Sequence, residues 1–194
     1  MQVEQLIGLV QPTAATDATR AAVFAYMSRL IRSSGAVSFW FGSVPLKTYL
    51  PDGDIDMCAI PASGTVDQFF AHLKSALERE AKAVDGAEFP VHSVTYIPDV
   101  RLLKAKVGNI LVDVSVNRAG GIGALCFLEE VDRLIGRSHL FKRSILLVKA
   151  WWYTHIQSPG AYFSSSASFV FDGYVSFTLP LTSPCCLVLT HLMQ

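Results

Sequence analysis

Apolar residues recur at helical spacing between Asp17 and Arg32, where Val23, Tyr26, Met27, Leu30 and Ile31 fall on one face. An amphipathic helix is predicted there, with Asp17 available as its cap and Arg20, Arg29 and Arg32 on the polar side. Ser33, Ser34 and Gly35 end it. The run AVSFWF, residues 36–41, then predicts a short buried strand that delivers the chain to a turn at Gly42 and Ser43. PDG at 51–53 is a second turn signature, after which a strand starts at Asp54. Pro61 to Gly64 reads as a loop. Thr65 and Gln68 have the spacing of a capping box ahead of a helix whose Phe69, Leu73 and Leu77 line one face, with Glu78, Glu80 and Lys82 on a solvated surface.

Beyond Asp85 and Gly86 three β-type runs follow, VHSVTYI (91–97), VRLLKAKV (100–107) and NILVDVSVN (109–117), with turn residues between them. They predict a meander. Gly120 and Gly121 lead into one helix over about 123–134, ended by Gly136, and a second over about 139–155. The ILLV run of that second helix is apolar all round, so its middle is expected to be buried.

Composition narrows the classes without choosing one. With 51% hydrophobic and 16% charged residues the chain is no disordered segment. Its formal net charge of zero means that any nucleic-acid surface has to be a local patch. The N-terminal MQVEQLIGLV is interrupted by Glu4 and Gln5 and lacks the form of a signal peptide, which makes an intracellular setting the expectation. Cys58 and Cys126 read as small buried hydrophobes, and neither the adjacent Cys185 and Cys186 nor the five histidines have metal-ligand spacing. There is no GxxxxGK phosphate loop and no nucleophile elbow.

Three aspartates carry the candidate chemistry. Asp54 and Asp56 lie two apart in a strand, so both project from one face while Ile55 faces away. Two like charges so close invite a divalent cation. Asp113 interrupts the apolar Ile110-Leu111-Val112 and Val114, where a lone carboxylate needs a partner: a hydrogen bond in the bland reading, or a cation shared with Asp54 and Asp56. The three together form a hard-oxygen set suited to Mg²⁺ or Mn²⁺. Gly42 and Ser43 after a strand are either a plain turn or a place where backbone approaches phosphate.

FGS, ten residues, DID, and later VDVSV together resemble the nucleotidyltransferase superfamily typified by DNA polymerase β, and more narrowly the non-canonical poly(A)/poly(U) polymerases. FGSVPLKTYLPDGDID and GALCFLEEVDRLIGRSHLFKRSILLVKAW are similar to the plant group related to poly(A) polymerase and oligoadenylate synthetase. The resemblance covers residues from about 14 to about 156. It implies an α+β fold, a mixed sheet flanked by helices, with a catalytic domain over 14–118 and the first helices of a second, helical domain over 119–160. It further implies transfer of a nucleoside monophosphate from an NTP to an RNA 3′-hydroxyl. Asp54, Asp56 and Asp113 would hold two metal ions, one lowering the pKa of the attacking hydroxyl and the other stabilising the leaving pyrophosphate. Gly42 and Ser43 would take the β- and γ-phosphates, and Lys149 would contact the triphosphate. Lys142, seven residues earlier, lies on nearly the same helix face and is a second candidate phosphate contact, while Tyr153 stands where some relatives carry a further lysine.

Arg133, Arg137, Lys142 and Arg143 form the densest basic cluster, readable as an RNA contact or as the solvated face of a helix pair. Trp151 and Trp152 could stack on bases or belong to a core. Residues 161–194 depart from the family pattern: they are apolar, contain no lysine or arginine, and are broken by Pro180 and Pro184, so a membrane span is a poor fit. They read as a non-homologous tail after a C-terminally truncated domain. That leaves two expectations: a transferase, or an inactive fragment whose uncovered apolar surface binds a protein partner.

Overall fold

The computed structural model describes residues 3–82 and 88–155. The tail and Asp85-Gly86 fall outside the described residues, as does the side chain of Tyr153. Among the described residues twelve elements follow one another. Helix α1 spans Val3–Val10, α2 Ala14–Ser33, β1 Ala36–Phe41, α3 Ser43–Leu46, β2 Ile55–Pro61 and α4 Val66–Lys82. They are followed by β3 Val91–Ile97, a 3-10 turn Pro98–Val100, β4 Leu102–Val107, β5 Ile110–Val116, α5 Gly120–Ile135 and α6 Leu140–His155.

The five strands form one mixed sheet in the order β1-β2-β5-β4-β3, and the fold is α+β. Strands β3, β4 and β5 make the expected antiparallel meander, and β2 is inserted beside β5 in parallel. Alternation gives the sheet two unlike faces. Ile55, Met57, Ala59, Val112, Val114, Leu103, Ala105 and Val107 point into a core with Val23, Met27 and Ile31 of α2 and Phe69, Phe70, Leu73 and Leu77 of α4. Asp56, Cys58, Asp113, Ser115, Lys104 and Lys106 belong to the other face.

Several local expectations are corrected. Thr13, not Asp17, caps α2, in a reciprocal box with Thr16; Asp17 instead takes a hydrogen bond from the Tyr49 hydroxyl at 2.7 Å and an ion pair from Lys47. Arg20 is not on a solvated side: it is 4% exposed, donates to the carbonyls of Pro51 and Gly53, and lies over the Tyr49 ring. AVSFWF is an edge strand, and its alternate residues Val37 and Phe39 are exposed, so it is not buried on both faces. Cys126 is exposed, since the apolar run around it coils into α5 and turns Cys126 and Phe127 outward. Of the ILLV run only Leu146 is buried. The box between Thr65 and Gln68 forms in both directions, at 3.0 and 3.2 Å. No described helix is long and apolar enough to cross a membrane.

Candidate active site

Strand register brings the acids together. In the parallel β2–β5 pair Asp56 stands opposite Asp113. Asp54, two residues before Asp56 at the mouth of β2, comes to the same side. One carboxylate oxygen from each of Asp54, Asp56 and Asp113 lies within 4.8 Å of the others, and all three residues are buried. Three oxygen donors with no nitrogen or sulfur among them suit a hard divalent cation. Crowding shows in their protonation. Burial, then the charges of Asp54 and Asp113, push the Asp56 carboxyl up to about 8, although Lys104 and Lys149 pull the other way. Burial also raises Asp113, against the opposing effect of Lys104.

Gly42 closes one side. Its φ of 75° is in the left-handed region, and a Cβ built there would sit 2.5 Å from Asp56 Oδ2, so only glycine lets the backbone come this near the carboxylate. Ser43 begins the four-residue α3, one turn of helix directly after Gly42. Phe41, opposite Asp56 in the β1–β2 register, packs on Gly121 at the start of α5, where any Cβ would fall within 2.4 Å of the ring. The sheet edge and α5 are thereby fixed to each other.

Two ammonium groups reach the acids. Lys149, on α6, donates to the Thr48 carbonyl at 3.0 Å; burial lowers its pKa, against the charges of Asp56 and Asp54. Lys104, opposite Asp113 on β4, pairs directly with Asp113 Oδ2. Lys142 goes elsewhere: its ammonium meets Glu129 at 2.7 Å and Asp132 at 3.8 Å. The rest of the basic cluster is similarly engaged, Arg133 with Glu130 and Arg143 with Glu4 of α1.

Sequence reasoning missed two contributors. Lys104 looked like one of several lysines in an alternating strand, and only the β4–β5 register singles it out. Arg20 holds the 51–53 turn that leads into Asp54, a role its helical spacing could not reveal. The cavity of about 750 Å³ lined by Ser33, Ser34, His72, Ser75, Arg79 and Lys82 is at the Ala36 end of β1, away from the acids.

No protein-family model and no curated protein matches the chain. Solved structures do. A structure of Cid1, described by its RNA terminal uridylyl transferase activity, superposes with a TM-score of 0.64 at 16% identity over 78% of this chain and 45% of that one. Cid1 bound to a UTP analogue gives 0.61 at 16% identity over 78% and 43%. The GLD-2/RNP-8 complex gives 0.61 at 16% identity, over 79% of this chain and 59% of the matched one. The fold is thus the nucleotidyltransferase fold of these proteins, and the chain spans under half the length of the Cid1 structures.

Proposed function

From that shared fold and the acid cluster together, we propose that the chain carries the catalytic centre of an RNA nucleotidyltransferase, which moves a nucleoside monophosphate from an NTP to an RNA 3′-hydroxyl. The observation that carries the reading is the β2–β5 register, which sets Asp56 beside Asp113 with Asp54 within reach. Asp54, Asp56 and Asp113 would hold Mg²⁺ or Mn²⁺. When bound, the ions supply charge neutralisation at the phosphates and activation of the hydroxyl. The chain's own residues position the reactants. Gly42 and Ser43 offer a backbone without bulk for the β- and γ-phosphates, and Lys149 brings a positive charge toward the triphosphate. Lys142 is left out of this assignment because Glu129 and Asp132 already hold it. Solved neighbours carry a UTP analogue and the short product ApU, which supports NTP and RNA as the substrate classes.

A second reading has its own support. Phe127 is 58% and Leu134 70% exposed on α5, two apolar side chains that a protein partner could cover whether or not the chain is catalytic. Incubation of the purified chain with labelled NTPs, Mg²⁺ or Mn²⁺ and an RNA primer separates the two. Extension that disappears in an Asp54→Ala, Asp56→Ala control supports the transferase. No extension in any condition leaves the binding module.

A further inference from the structure

The acid cluster has two cationic neighbours in unlike settings. Lys149 arrives on α6, is largely buried, and is tied to the Thr48 carbonyl. Lys104 is placed by the sheet itself, since the antiparallel register puts it directly opposite Asp113. Its side chain is 39% exposed whereas that of Asp113 is only 9% exposed, and its ammonium contacts Oδ2 alone. A neighbour two residues along provides the contrast: Lys106 points to the same face, stands opposite Leu111, and is exposed.

We propose that Lys104 is a positioning residue for Asp113. The inference rests on the reading of Asp54, Asp56 and Asp113 as cation ligands. With Oδ2 committed to the ammonium, the carboxylate plane of Asp113 is fixed and at most one oxygen remains for a cation that does not share the lysine's partner. A carboxylate with two free oxygens could chelate one ion and drift from its neighbours. Held by Lys104, it bridges from β5 toward Asp54 and Asp56 in one orientation, in the way that an outer hydrogen bond commonly fixes a metal ligand. The same contact has an opposing effect on affinity, because the ammonium competes electrostatically with any cation for Asp113.

These two effects have opposite signs, and that separates positioning from mere support of the fold. Lys104→Met keeps most of the aliphatic stem and removes the charge. In ion-free protein titrated with Mn²⁺ by calorimetry, it is expected to bind the ion about 10-fold more tightly, because the competing cation is gone, while NTP turnover falls about 100-fold with little change in KM. Lys104→Arg should return both to within a few-fold of the unaltered chain, and Lys106→Met should alter neither. The effect must also pass mainly through Asp113: in an Asp113→Asn background Lys104→Met should change Mn²⁺ affinity by less than about 3-fold, what remains being the pull of Lys104 on Asp56. Thermal melting of each variant confirms that it folds.

Weaker Mn²⁺ binding together with slower turnover overturns the proposal in favour of a structural ion pair. So does an equal change in both Asp113 backgrounds, or a failure of arginine to restore the behaviour. If the unaltered chain binds no Mn²⁺, the proposed function and this inference fall together. If it binds Mn²⁺ with the expected dependence on Lys104 but extends no primer, only the transferase reading fails.

Discussion

On the sheet Asp54, Asp56 and Asp113 converge from two strands, while at the turn between α5 and α6 a single acid, Asp132, is buried just as deeply, at 3% exposure. Asp132 has hydrogen-bond partners on the spot. His139 Nδ1 lies 2.6 Å from one oxygen, the Lys142 amide donates to the other at 3.4 Å, and the Lys142 ammonium is shared with Glu129. The cluster holds together Gly136, Arg137, Ser138 and His139, four successive residues with positive φ, and it satisfies an amide in the first turn of α6. On the sheet, burial first and then the charges of Asp54 and Asp113 push the Asp56 carboxyl up to about 8, against the pull of Lys104 and Lys149. A buried acid is therefore no sign of a metal site by itself; the sign is several buried carboxylates crowded on one another.

The largest expected effect breaks the sheet centre. Asp56→Asn should abolish the rise in melting temperature on adding Mn²⁺ and lower primer extension more than about 1,000-fold, as loss of a central charge-stabilising group does. Asp132→Asn should leave the Mn²⁺ response intact. Its cost falls instead on stability, about 3 kcal/mol by denaturant titration, because Lys142 and a strained turn lose their buried partner. Equal Mn²⁺ responses in the two variants would erase the distinction between the centres.

Gly42→Ala is the next in size. A methyl 2.5 Å from Asp56 Oδ2 and a φ of 75° must displace the carboxylate or the backbone. Extension should fall about 100-fold, with a stability loss of about 1–3 kcal/mol. Full activity in this variant would show that the close approach is not needed.

The acid cluster was legible in the sequence and the balancing charges were not. A DxD pattern and one acid in an apolar strand follow from strand alternation, which is local. Which cation answers which acid is decided across the sheet or between helices: Lys104 by register, Lys142 by Glu129 and Asp132, Arg20 by the carbonyls of the 51–53 turn. Lys142 lies near Lys149 in helical phase, yet a seven-residue step moves it about two turns along α6 to the Asp132 turn. The strand AVSFWF shows the same limit, since its apolar content does not tell an edge from a centre.

The smallest and most gradual effect is that of pH on the ion-free chain. An Asp56 carboxyl raised from its ordinary value to about 8 keeps a proton in the folded state that the unfolded chain has already released. Between about pH 4 and 8 the folded state therefore binds more protons than the unfolded one, and the contribution of this group to stability declines as pH rises through that window. Melting curves of ion-free protein should show a fall from pH 5 to pH 8 that is blunted in Asp56→Asn and also blunted by saturating Mn²⁺, which takes the place of the proton. The dependence should survive Asp132→Asn unchanged, because that substitution alters the other centre. A slope that persists in Asp56→Asn and vanishes in Asp132→Asn would mean that the titrating acid lies between the helices and not on the sheet.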